Sequence, residues 1–253
     1  MRKIISFTVL NFLQGTREKI FWLVSFFFVF ILGVTFFIGL LSVGETVPVL
    51  RSAGLSGIEV SAIMLVVFSL IFNFYREKDS RLTEFLLSHF SRPAYIAGKL
   101  CGYLLIGLFY IILAGLGWSL VLVLNNAFSF SIIPALFALY LKVSIITAVA
   151  LAFSCLFSSY TMAFFSTFFV YIASEVSRDA LKIISYSQHS SLKPFFKGLY
   201  YLLPNMDKLD IKSAVAFNSL PQPGYFAWIG LYAFIYVLLL WSLATYIFLK
   251  KEI

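Results

Sequence analysis

Apolar runs alternate with polar segments along the chain, at 21–41, 58–75, 100–124, 132–157, 160–174 and 224–249. A helix needs about 20 apolar residues to cross the hydrocarbon core. The run at 160–174 supplies about three-quarters of that length, and its continuation carries Glu175, Arg178, Asp179 and Lys182 at helical spacing, where they can pair with one another. The pattern predicts an all-α integral membrane protein with six transmembrane helices, organised as a single transmembrane domain over 1–253. Residues 1–19 place Ile5, Val9, Phe12 and Leu13 on one stripe and Asn11, Gln14 and Glu18 on another. With no small-residue cleavage site after the apolar run, they read as an interfacial amphipathic helix and not as a signal peptide.

Between the second and third runs lies the charged segment 76–99, REKDSRLTEFLLSHFSRPAYIAGK. Within it Leu82, Phe85, Leu86 and Phe90 recur at helical spacing, with Arg81, Glu84 and Ser88 on the other side, and Arg92-Pro93 is expected to end the short helix. Two readings follow from this amphipathic pattern. The helix lies on lipid headgroups with its cations towards phosphate, or it sits in the groove of a cytoplasmic partner with its apolar residues as anchors.

Charge sets the orientation. Arg2, Lys3, Arg17 and Lys19 flank the start, Arg76, Lys78, Arg81, Arg92 and Lys99 fill the charged loop, and Lys250-Lys251 follow the last run. The positive-inside rule places all of these, and both termini, in the cytoplasm. The connection 42–57, with Glu45 and Arg51, then falls outside, as does the long stretch 179–223. That stretch contains Pro194, Pro204, Pro221 and Pro223 between apolar pieces too short to cross, and predicts re-entrant or interfacial helices before the sixth span. Its cations, among them Lys193, Lys197, Lys208 and Lys212, make the inside bias modest.

Three ionisable residues interrupt the apolar runs or their edges. Glu59 is expected near the outer end of its span, within reach of water. Lys142 has two readings: a helix that begins late, after Pro134, leaves it snorkelling to the outer interface, or it faces an internal water-filled pathway where it meets an anionic group. The alternative to either costs about 2.5–3.5 kcal/mol for an ammonium at the centre of an isolated span. Glu175 borders the fifth span. Gly98, Gly102, Gly107, Gly115 and Gly117 mark the third span as a close-packing helix, within the chain or at a subunit interface.

Composition sharpens the class. Of 253 residues 61% are hydrophobic and only 12% charged, against about 25% charged in soluble domains. The net charge of +8 flanks apolar spans, so topology and membrane lipid account for it and no nucleic-acid partner is expected. Cys101 and Cys155 fall in spans, too far from any ligand set for a metal, and read as buried structural thiols. Tyr225, Trp228, Tyr232, Tyr236, Trp241 and Tyr246 suggest aromatic interface belts. Gly98-Lys99-Leu100 lacks the upstream glycine and the hydroxyl of a phosphate loop, and no H-E-x-x-H or G-x-S-x-G occurs. His89 and His189 have no nucleophile or ligand at a mechanistic spacing. No catalytic residue, metal site or cofactor is expected in this polypeptide.

The run Glu77, Thr83-Glu84, Leu86-Leu87-Ser88, Ser91-Arg92 and Gly98-Lys99 resembles the loop between the second and third spans of the permeases of type-2 ABC exporters. Leu82-Thr83 stands where that family usually has Gly-Thr, and Pro93 follows the Ser-Arg pair where the family tends to place proline before it. The tail YYLLPNMDKLD at 200–210 is similar to the segment before the family's last span. The six-span layout, the amphipathic start and the end Phe248…Lys250-Lys251-Glu252 agree along the whole chain. The resemblance implies that 79–88 is a cytoplasmic coupling helix docked on a separate ABC ATPase subunit, which supplies ATP and magnesium. Leu82, Phe85 and Leu86 would be its docking knobs, and Arg81, Glu84 and Arg92 the rim. It also implies a second permease copy or a related permease, in a cell membrane of the bacterial inner-membrane kind. The competing readings are an anchor or scaffold that recruits a cytoplasmic partner without transport, and a channel or ion-driven transporter using Glu59, Lys142 and Glu175.

Overall fold

The computed structural model describes residues 2–41, 46–80, 82–186 and 203–250, and every regular element among them is helical. In chain order these are α1 (Arg2–Arg17), α2 (Lys19–Leu41), α3 (Thr46–Asp79), α4 (Leu82–His89), α5 (Arg92–Leu124), α6 (Ile132–Leu156) and α7 (Tyr160–Tyr186). A 3-10 turn (Met206–Leu209), α8 (Lys212–Ala216) and α9 (Pro223–Lys250) follow. Five helices, α2, α3, α5, α6 and α9, are long and apolar enough to cross a membrane, and α7 contributes a shorter apolar stretch, Tyr160–Val176. The chain is a multi-pass helical membrane protein.

The spans at the centre are longer than their apolar runs. The 34 residues of α3 and the 33 of α5 each reach about 50 Å at 1.5 Å per residue, well beyond the roughly 30 Å of hydrocarbon. The polar connection expected at 42–57 is therefore helical from Thr46 onward. Pro48 is tolerated there because first-turn N–H groups have no helical partner. Arg51 is buried at this end, donating from Nε to the Ala127 carbonyl (2.8 Å) and from Nη1 to Asn218 Oδ1 (3.0 Å). Pro93 does not act as the stop for α4. It stands in the first turn of α5, where its fixed φ favours helix initiation. Pro134 sits likewise in the first turn of α6, so that helix does not begin late.

Helix α3 is the axis of the bundle. It pairs with α2 as a hairpin and packs against α5, α6, α7 and α8, while α9 lies along α6. Three buried hydroxyls on these helices find partners within their own helix: Ser61, Thr147 and Ser154 each donate to the carbonyl four residues back. Small residues set the closest approaches. The Trp118 indole lies flat over Gly54, where a Cβ would come within 2.0 Å of it. The α5 glycines serve packing inside this chain: Gly98 meets Phe7, Gly102 meets Asn11 and Gly115 meets Leu136, whereas Gly117 has nothing within 4 Å.

Those contacts also orient α1. Phe7, Thr8 and Asn11 are buried against α5, so part of the polar stripe faces protein, while Ile5, Val9, Leu10 and Leu13 point away. Cys101 is exposed and only Cys155 is buried, which corrects the expectation for the first thiol. A three-residue turn, 157–159, joins α6 to α7 and keeps them neighbours, and the Tyr75 hydroxyl donates to the Phe157 carbonyl (2.9 Å) to fix it.

The end of the expected 179–223 region folds back into the bundle. Met206, Leu209 and Val215 are buried against α3, α6 and α7. Asn218 meets Arg51 of α3, whereas Lys212 meets Glu59, eight residues and so about 12 Å further along the helix. The Asn205 N–H donates to the Tyr232 hydroxyl (2.7 Å), about 13 Å into α9. The 205–216 segment thus packs back along the bundle. Two aromatics read as belt residues, Tyr225 and Tyr232, hold it, since the Tyr225 hydroxyl donates to the Lys208 carbonyl. Residues 187–202, including Lys193, Lys197 and His189, lie outside the described residues, as do the side chains of Arg178, Asp179 and Lys182.

Candidate functional site

Two places concentrate chemistry, one at the α4 end of the bundle and one within its opposite half. At the first, α4 bridges the ends of α3 and α5. Thr83 is 4% exposed, and Leu86, Leu87 and Phe90 pack against the core, with the Phe90 and Phe7 rings 5.2 Å apart. Leu82 and Phe85 project away at 50% and 64% exposure, and Glu84 is exposed beside them. Of the three expected knobs, two are therefore displayed and Leu86 is turned inward. Its neighbours Thr83 and Leu87 share the buried side, because α4 rests edge-on to the bundle. Arg92 donates from Nη1 to the Leu249 carbonyl (2.9 Å), capping the C-terminal turn of α9. Arg81 lies outside the described residues, as does the side chain of His89.

The two helices that carry α4 are clamped by a buried ion pair. Lys99, 0% exposed, places Nζ 2.6 Å from Glu77 Oε2, to which the Tyr95 hydroxyl also donates at 2.6 Å. The ammonium further lies 5.1 Å from the Phe74 ring centroid and 5.3 Å from that of Tyr95. Lys99 is thus not one of the surface cations of the charged segment. It and Glu77 stand at opposite ends of the resemblance to the exporter loop, and their separation by the whole loop hides the pairing from any local pattern.

At the second place, the isolated charges of three helices meet. Lys142 of α6 is 1% exposed, with Nζ 2.5 Å from Glu59 Oε1 of α3 and paired also with Glu175 of α7. Lys212 of α8 reaches Glu59 Oε2 (2.5 Å) and Asp210 Oδ2 (3.4 Å). The Tyr171 hydroxyl donates to Glu59 Oε1 (3.0 Å). Lys142 therefore neither snorkels nor waits for a foreign anion, since the chain's own carboxylates surround it. Glu59, 2% exposed, is likewise shut away from water. A space of about 10 Å³ borders the cluster, room for one water at most and none for a substrate. In the sequence Glu59, Lys142 and Glu175 stand out as charges in or at the edges of apolar runs, but not as partners. Tyr171 falls in the fifth apolar run and Asp210 closes the 200–210 tail, but neither they nor Lys212 carried a local sign of this pairing.

This cluster fastens the 205–216 segment to α3. Burial alone would push the Lys212 ammonium down, but Glu59, Asp210 and Glu175 outweigh it and hold the pKa above the ordinary lysine value of 10.5. A raised value means that the stability Lys212 contributes is fully present below 10.5 and is lost only as pH rises through the higher folded-state value. The stability difference between wild type and Lys212→Met in detergent, followed by heating scans, is expected to stay constant from neutral pH to the ordinary lysine pKa and to narrow above it. A difference that already fades near neutral pH would contradict the pairing. Among the described residues no group of His, Cys, Asp and Glu is placed to hold a metal. No known protein-family model matches this chain, and no curated protein matches it either.

Proposed function

We propose that this chain is the membrane-spanning permease subunit of an ATP-driven ABC-type exporter, worked by a separate ATPase subunit beneath it. The observation that carries the reading is α4, a two-turn helix held between two continuous long helices with Leu82 and Phe85 turned outward. Apolar side chains so displayed on a short helix suit a partner groove better than solvent. In this reading the Tyr160–Val176 stretch of α7 is the fifth of six spans, both termini are cytoplasmic, and a second copy or sister permease completes the translocation path. ATP and magnesium belong to the partner. Closure of the ATPase pair shifts the permease between two arrangements, with α4 carrying the motion into α3 and α5. An ion-driven transporter needs carboxylates free to load and unload a cation, and here Lys142 and Lys212 already occupy them.

Leu82→Asp/Phe85→Asp tests the docking claim. Both side chains are exposed, so the variant is expected to insert and to keep its melting temperature, while a co-expressed phosphate-loop ATPase subunit that binds the wild type co-purifies at least tenfold less. Full ATPase retention would refute the reading and leave the anchor or scaffold as the stronger one.

A further inference from the structure

A cleft of about 980 Å³ opens where α1 meets α2 beside the last turns of α3. Its floor is apolar, built from Val9, Leu10 and Leu13 of α1, Ile20 of α2 and Phe72 of α3. Three cations line it, Arg17, Lys19 and Arg76, against the single carboxylate of Glu18. That carboxylate is already engaged: it accepts from Ser69 Oγ (2.7 Å) and pairs with Arg76 at 3.4 Å. Arg76 is held by Asn73 Oδ1 (2.6 Å) and rides the Phe72 ring, with 47% of its side chain open. Arg17 and Lys19 are exposed, and among the described residues neither forms an ion pair with a carboxylate.

Geometry selects the occupant. The cleft lies at the start of α2, the first membrane-length helix, whose next turns present Trp22, Leu23 and Phe26 at 68–77% exposure. A cationic rim at the level of the membrane surface, continuous with an apolar floor and then a lipid-facing helix, matches an amphiphile with an anionic head and acyl chains. A soluble phosphate compound would use the rim and leave the floor wet. The exposed stripe of α1, Ile5, Val9, Leu10 and Leu13, places that helix at the same boundary. We infer that this cleft is a binding site for an anionic phospholipid, seating its phosphate between Arg17, Lys19 and Arg76 and its chains against Val9, Leu13 and Phe72. The site stands independently of the exporter reading.

The test uses purified full-length protein in a neutral detergent, titrated separately with phosphatidylglycerol, with phosphatidylcholine of the same chains, and with inorganic phosphate. Phosphatidylglycerol is expected to raise the melting temperature saturably, and the other two are not. In Arg17→Gln/Lys19→Gln the apparent affinity for phosphatidylglycerol is expected to fall at least tenfold, since each cation near an anionic surface contributes about a fivefold factor and the two multiply. Both side chains are exposed, and the variant's melting temperature without lipid checks that it folds. Native mass spectrometry counting retained phosphatidylglycerol supplies a second readout. An equal response to phosphatidylcholine, a response to phosphate alone, or an unchanged affinity in the double variant would each overturn the site.

Discussion

Replacing Lys142 with Met is expected to cost about 3–5 kcal/mol of stability, the usual penalty for stripping one partner from a buried ion pair. The size follows from what is left behind. Glu59 and Glu175 converge on this ammonium from two other helices, and without it two carboxylates share a site almost closed to water. Lys212 answers only the Oε2 side of Glu59, so it cannot compensate. Formal charge makes the argument quantitative: three carboxylates face two ammonium groups in wild type, and the variant leaves three facing one. Lys142→Met/Glu59→Gln restores the original imbalance and keeps an acceptor for the Tyr171 hydroxyl. The double variant should therefore lose less than the sum of the singles, by about 0.5–3 kcal/mol of coupling. Glu175→Gln is the mild control, since 28% of that side chain is open and water can assist. Melting temperature and yield in detergent read all four proteins. A Lys142→Met variant as stable as wild type, or strict additivity in the double, would mean that the three helices do not meet as described.

The contrast between what periodicity revealed and what it hid has a physical basis. Hydropathy is a local property, so the apolar runs, the short α6–α7 turn and the isolated α4 could be read directly. Pairing is not local. Glu59 and Lys142 looked like separate anomalies, each plausibly near an interface, because a single helix carries no record of its neighbours' charges. The cost of an isolated intramembrane lysine was the usable clue, since a price of that kind demands a partner. Lys212 gave no such warning, as a cation in a hydrophilic connection is ordinary. The same reasoning explains α4. An amphipathic pattern establishes that a helix has two faces, but Leu86 and Phe85 are adjacent on it. Only the packing of Thr83 and Phe90 against the bundle determines which one stays outside.

Lys99→Met is expected to loosen the α4 end of the bundle while leaving the opposite half intact. In wild type the pair is dry, with Lys99 at 0% and Glu77 at 5% exposure, and it joins the last turn of α3 to the second turn of α5. Among the described residues, removing the ammonium leaves Glu77 with the Tyr95 hydroxyl as its side-chain partner, an orphaned buried charge again worth about 3–5 kcal/mol. Lys99→Arg should not rescue it. A planar guanidinium is bulkier than an ammonium, and the site is packed between the Phe74 and Tyr95 rings. Glu77→Gln/Lys99→Met removes both charges and keeps an acceptor for Tyr95, so it should recover much of the loss. Amide hydrogen exchange separates this effect from global unfolding: protection should fall at least tenfold across 82–99 and change little across 135–150 of α6. If α4 is the lever of an ATP-driven machine, the same variant should still bind its ATPase through Leu82 and Phe85 yet lose transport-linked stimulation, because a lever on a slack mount transmits little force. Unaltered exchange across 82–99 would show that the clamp is dispensable, and the transmission of motion from α4 into α3 and α5 would have to run through apolar packing alone.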